Sequence, residues 1–153
     1  MPRNYWMLAI SPENYQVTKD LGFTVQGLRS ALKRKAQRME VGDRMLFYVT
    51  GIQRFAASAT VSATFFEEHS RLWKDQNANE DYPYRVHIEP NVALDEDQFI
   101  DARQVAYRMD YVKKWIPETW PLAFVGELHL IPKLDFTLLE EEMQKLASAK
   151  ARR

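Results

Sequence analysis

Asn4-Tyr5-Trp6-Met7-Leu8-Ala9-Ile10-Ser11-Pro12-Glu13-Asn14-Tyr15 decides how this chain is read, because an apolar run stops abruptly in a polar cluster. Residues 5–10 predict a strand buried along its body. Ser11 followed by Pro12 predicts a helix start, with the serine oxygen as N-cap and proline tolerated at the first helical position. The helix should run to about Asp20 and stop at Gly22. Ser11 and Asn14 therefore stand at the mouth of a buried strand, where short polar groups can meet a ligand.

Working outward, the acid-free stretch Leu21–Met39 carries Arg29, Lys33, Arg34, Lys35 and Arg38, and Leu28, Ala31 and Leu32 are spaced for one buried stripe of a basic helix over about 28–38. Val41-Gly42-Asp43 reads as a turn. Arg44–Thr50 and Phe55–Phe66 read as the two strands of a hairpin, the second rich in small and β-branched residues. Glu67–Asp81 lacks periodicity and reads as a polar surface loop, with Leu72 and Trp73 as its only large apolar content. Such a pair either folds back as a lid or forms the wall of a binding site. Tyr84–Glu89 alternates as a strand and Pro90 should end it. Short helices follow over Asp101–Arg108 and Met109–Lys114, then an irregular segment with Trp115, Pro117, Trp120 and Pro121. A last strand over Leu122–Leu130, interrupted at Gly126, precedes a terminal helix with Leu134, Leu138, Leu139 and Met143 on one face.

With 153 residues and no dividing linker the chain reads as one α+β domain over 1–149, a curled mixed sheet flanked by helices, with a basic tail at 150–153. The absence of cysteine excludes disulfides and thiolate metal sites and fits a reducing, cytoplasmic setting. No apolar run approaches a membrane span, and no secretory leader is recognisable. Lysine plus arginine equal aspartate plus glutamate at 21 each, so bulk charge points to no partner and its distribution must. Beyond the basic stretch, Lys145, Lys150, Arg152 and Arg153 follow an acidic patch of Asp135, Glu140, Glu141 and Glu142.

Catalytic signatures are missing. His69, His87 and His129 are scattered, the five glycines are spread singly, and neither a phosphate loop, a metalloprotease motif nor a serine-hydrolase elbow occurs. The sequence calls for no cofactor and no metal. Binding is better supported: aromatic faces stack on any base, while short polar groups read its edge. Phe23, Tyr48, Trp73 and Tyr84 can supply faces, Ser11, Asn14, Thr24 and Thr50 can supply donors and acceptors, and Trp6, Phe47 and Phe55 read as core. Arg29, Lys33 and Arg34 suit phosphate contact, which gives affinity without reading sequence.

The opening strand with its Ser-Pro-Glu-Asn end, Gly22-Phe23-Thr24, Gly42-Asp43 before Phe47-Tyr48, Leu72-Trp73, Tyr82-Pro83-Tyr84-Arg85-Val86 and Trp115 occur in an order that resembles the EVE domain, a PUA-like fold related to YTH domains. The resemblance implies a pseudo-barrel and a pocket that recognises a modified or flipped base in DNA or RNA. It places Ser11 and Asn14 at polar pocket positions and Trp73 where a loop tryptophan would close an aromatic cage. Thr24 stands where YTH relatives carry tryptophan, and Val86 or Ile88 stands near a second cage position. Two alternatives stay open: a nucleotide- or RNA-modifying enzyme on this scaffold, with Glu13 as the ionisable group, and a protein-interaction module, such as a homodimer, using the Trp115–Trp120 region.

Overall fold

The computed structural model describes residues 4–112 and 127–151. Its elements are β1 (Tyr5–Ile10), α1 (Pro12–Asp20), β2 (Val25–Leu28), α2 (Lys33–Arg38), β3 (Arg44–Val49), β4 (Arg54–Val61), β5 (Phe66–Glu67), β6 (Tyr84–Ala93), β7 (Ile100–Asp101), α3 (Ala102–Val105), β8 (Leu128–Leu130) and α4 (Lys133–Ala151), with 3-10 turns at Ser30–Leu32, Glu96–Gln98 and Ala106–Arg108. The strands form one mixed sheet in the order β2-β6-β4-β3-β1-β8, with β5 joined to β6 and β7 to β4. β1 and β3 run parallel at its centre, Tyr5 opposite Arg44 through Ile10 opposite Val49, and the other pairs are antiparallel.

Both faces of the central strands are covered, which is why β1 is apolar throughout instead of alternating. Trp6, Leu8 and Ile10 enter one core with Met45, Phe47, Val49, Tyr15 and Phe23. Met7 and Ala9 enter the other with Leu46, Tyr48, Phe55 and the α3 and α4 side chains Val105, Phe136, Leu139 and Met143. Two bulges bend the sheet. Ala56 is the extra residue where Phe47 pairs Ala57 but Tyr48 pairs Phe55, and Asn91 is extra where Ser58 pairs Val92 but Ala59 pairs Pro90. Bulges sharpen twist, and these two curl the sheet into a half-barrel.

Buried polar groups tie the layers together. The Asp43 carboxylate accepts hydrogen bonds from Trp6 Nε1 at 3.0 Å, Asn4 N at 3.1 Å and Glu40 N at 3.0 Å. Asp135, at the start of α4, accepts from the backbone N–H groups of Asp110 and Tyr111, both at 2.8 Å. Ser58 donates to Glu140 at 2.7 Å, and Arg44 pairs with the same carboxylate.

The structure corrects several sequence-based expectations. The basic helix is shorter than 28–38: Leu28 ends β2, paired with Tyr84, and α2 starts at Lys33. A glycine in the middle of Val25–Leu28 hides a strand that tertiary pairing enforces. Pro90 does not end β6, because β2 stops at His87 and leaves β6 with β4 as its neighbour there, so a missing N–H is tolerated beside a bulge. Leu134 is 72% exposed and lies off the buried face of α4, which uses Phe136, Leu139 and Met143. Lys150 continues that helix and pairs with Asp95 and Asp97. Trp115, Pro117, Trp120, Pro121, residues 113–114 and 122–126 and the end of the tail lie outside the described residues.

Candidate functional site

Where β1 gives way to α1, the chain turns from apolar to polar, and Ser11 Oγ accepts the N–H of Asn14 at 3.2 Å. This cap fixes the first turn of α1 and directs Asn14 inward, where it is buried. Its amide grips one peptide of the 67–81 loop at two points, accepting from Lys74 N and donating to Lys74 O, each at 2.8 Å, and it also donates to the Tyr82 hydroxyl at 3.2 Å. A side-chain amide thus replaces a backbone partner and holds an irregular loop in register.

The same loop places Trp73 against the body, 1% exposed. Its indole N–H donates to Thr18 Oγ1 at 2.9 Å, and that hydroxyl lies 2.7 Å from Gln26 Oε1. The ring lies directly on β2 at Gly27, where a Cβ would come within 2.4 Å of Cε3. The Arg85 guanidinium lies 5.1 Å from the ring centroid and anchors the loop from within, donating to Tyr82 O at 3.1 Å, Ser70 Oγ at 2.8 Å and the Glu68 carboxylate at 3.2 Å.

These supports leave a hollow of about 880 Å³ between the end of β1, the first turn of α1, β2 and the loop. That volume lies within the ~300–1,000 Å³ usual for small-molecule sites. Its apolar walls include Leu8, Ile10, Pro12, Leu28, Leu32 and Trp73. Its polar rim brings together Ser11, Glu13, Thr50, Gln76, Tyr82, Asp75, Arg29 and Glu127. Arg29 crosses one side: it pairs with Asp75, approaches Glu127 Oε1 at 2.5 Å and lies 5.7 Å from the Tyr82 ring centroid. Burial pushes the Glu127 carboxyl up, opposed by the adjacent Arg29 charge. Tyr82 itself has a φ of +52°, a conformation that L-residues rarely adopt.

Of the residues singled out from sequence, Ser11, Asn14, Thr50, Trp73 and Arg29 line this one hollow, and Glu13 joins them. The rest do not. Phe23 is buried in the core against Tyr15 and Phe47, with centroids 5.7 and 5.9 Å away. Thr24 is exposed and closes the turn after α1 by donating to Leu21 O at 2.7 Å. Tyr48 points to the opposite core, where it packs on Phe55. Tyr48 alternates with Phe47 and Val49 and so takes the other face of β3, whereas Thr50 lies beyond the strand end, where that alternation no longer holds and its hydroxyl turns to Ile10 O. Tyr84 packs on Phe65, with the Lys33 ammonium 5.8 Å from its ring centroid, and Lys33 and Arg34 are exposed on α2. Val86 and Ile88 are core. Sequence reading missed Gln26, Gly27, Asp75, Gln76, Tyr82 and Glu127. Tyr82 was the one with a signal, since it opens the Tyr82-Pro83-Tyr84 motif.

Among the described residues no cluster of histidine, aspartate or glutamate could hold a metal ion, and no helix is long and apolar enough to cross a membrane. A family model for the EVE domain matches residues 4–114. The chain belongs to the EVE domain family. The UPF0310 protein of Pyrococcus abyssi is 23% identical over 146 residues, covering 90% of this chain and 97% of that one. Among solved structures, the YTH domain-containing protein Mmi1 in complex with RNA superposes with a TM-score of 0.67 at 6% identity, covering 97% of this chain and 87% of that one. The Pho92 YTH domain in complex with m6A gives a TM-score of 0.65 at 10% identity, covering 92% and 83%. At such identities the likeness is one of fold, and the fold of this EVE domain is the PUA-like curled mixed sheet with flanking helices.

Proposed function

We propose that this EVE domain is a non-enzymatic module that takes a modified or flipped nucleobase of DNA or RNA into the hollow between Ser11, Trp73 and Arg29. The observation that carries the reading is the convergence of the β1 end, β2 and the Trp73 loop on one half-apolar hollow with a polar rim. The RNA and m6A found with the Mmi1 and Pho92 YTH domains support a nucleic-acid ligand for the shared fold. Pro12, Leu32 and the edges of Leu8, Ile10 and Leu28 form the walls against which a flat base packs. Trp73, 1% exposed and seated on β2, supports that wall from within instead of stacking, and the Ser11 hydroxyl reads the base edge. Asn14 acts one step back, holding the loop. Lys33 and Arg34, exposed on α2 just beyond the rim residue Leu32, hold phosphate and supply the salt-dependent part of the affinity.

Titration with single-stranded and duplex oligonucleotides carrying one 5-methylcytosine, 5-hydroxymethylcytosine or N6-methyladenine tests the reading. Leu32 is half-buried at the rim and packs against the edge of the core, so Leu32→Trp keeps an apolar contact there while filling the hollow, and should abolish base-dependent binding with the circular dichroism spectrum unchanged. Replacing Lys33 and Arg34 by alanine should weaken binding to every sequence alike and flatten the log–log salt slope by about 1.4 for single strands. Binding that ignores Leu32→Trp overturns the proposal.

A further inference from the structure

We propose that Glu127 is the specificity-determining acceptor of the hollow, so that it favours a base bearing an exocyclic amino group over its carbonyl counterpart. This rests on the base-binding reading above and narrows it to a ligand class. The argument is an account of which polar groups in the hollow remain available after the protein has satisfied its own.

Most are engaged. The Asn14 amide holds Lys74 and Tyr82. Gln26 faces Thr18 with its oxygen and donates its Nε2 to Gly27 O at 2.9 Å. Asp75 takes Asn77 N on Oδ1 at 2.8 Å and Arg29 on Oδ2. Thr50 Oγ1 donates to Ile10 O at 3.3 Å. Ser11 Oγ accepts the α1 cap and keeps its O–H. Glu13 and Gln76 are also without a side-chain partner among the described residues, but both are exposed and nothing fixes their direction. Glu127 differs: Oε1 is held by Arg29 Nε, whereas Oε2 makes no hydrogen bond among the described residues, on a side chain 36% exposed. That oxygen is open to solvent, so an incoming N–H takes the place of water on a carboxylate already held in one direction, with little ordering left to do. Arg29 fixes that direction through a single charge-assisted contact from Nε, its Nη2 being held by Asp75.

The amino group on cytosine or adenine presents such an N–H at the outer corner of the base. Uracil, thymine and hypoxanthine place a carbonyl oxygen there, lone pair against carboxylate. The Ser11 hydroxyl supplies the complementary donor for a ring nitrogen or carbonyl.

The test uses two near-isosteric pairs in otherwise identical single-stranded oligonucleotides: 5-methylcytosine against thymine, and adenine against hypoxanthine, with an abasic site as baseline. The wild-type protein should prefer the amino member by about tenfold, within the range a well-made base-edge contact provides. Glu127→Gln, which offers a donor and an acceptor on the same frame, should bring that ratio near one, while Glu141→Gln, an exposed carboxylate of α4 outside the hollow, leaves it unchanged. Base binding without discrimination in the wild type, or discrimination that survives Glu127→Gln, overturns this inference and leaves base binding standing. Affinity for every base no better than for the abasic oligonucleotide removes both.

Discussion

Gly27→Ala is the sharpest probe of how the hollow is built. An added Cβ would lie 2.4 Å from Trp73 Cε3, 2.6 Å from Cζ3 and 3.0 Å from Cδ2, all backed by a ring that is 1% exposed. Carbon atoms in contact settle at ~3.5–4.0 Å, so the indole or β2 must yield by about 1 Å. The ring cannot slide freely, because its N–H is tied to Thr18 and the Arg85 guanidinium lies over it. Overpacking of this kind costs about 1–3 kcal/mol, and loosening a buried hydrogen bond adds about 1 kcal/mol. The backbone entropy gained on replacing glycine returns about 0.5–1 kcal/mol, leaving a net loss of roughly 1–3.5 kcal/mol. Urea unfolding followed by tryptophan fluorescence and circular dichroism measures it. The decisive step repeats Gly27→Ala in a Trp73→Ala background, where the clash is gone and alanine should be neutral or stabilising. An equal cost in both backgrounds would refute the proposed contact, since a double-mutant cycle then shows no coupling.

Asn14→Ala should release the Lys74 peptide, costing about 2–4 kcal/mol for buried groups left unpaired, and amide exchange at Lys74 should accelerate more than exchange in β3. Asp43→Asn turns a carboxylate that accepts three N–H groups into one that carries donors of its own; it should destabilise by about 2–3 kcal/mol in thermal or urea unfolding, and full stability would contradict the role assigned to Asp43. His69 sits between Glu67 at 2.8 Å and Asp81 at 2.7 Å, and those hydrogen bonds hold its pKa above the ordinary histidine value. Its contribution is therefore complete below about pH 6.5 and is lost as pH rises through the folded-state pKa. An NMR titration should show that raised midpoint in the wild type and a lower one in Glu67→Gln, and an unshifted wild-type midpoint would contradict it.

The local order of the chain was legible in sequence wherever one rule acted alone. Ser11-Pro12 announces α1 because a cap and a pre-set φ suffice to start a helix, and the structure places that helix at Pro12–Asp20. The two-sided burial of β1 follows from its unbroken apolar run. Where tertiary pairing overrode local preference, the reading failed: β2 is a four-residue strand containing Gly27, and β6 passes through Pro90.

The site divides in the same way. Sequence by itself determined that a buried strand ends in Ser11 and Asn14, that a lone Trp73 sits in a polar loop, and that a basic stretch begins near Arg29, since each depends on residue type and near neighbours. The tertiary structure alone decided that Phe23 and Tyr48 belong to the cores, that Tyr82 and Glu127 reach the hollow, and that Arg29 is met there by carboxylates. Those outcomes depend on which face a side chain takes and on contacts such as Asn14 with Lys74, sixty residues apart, which no local pattern encodes.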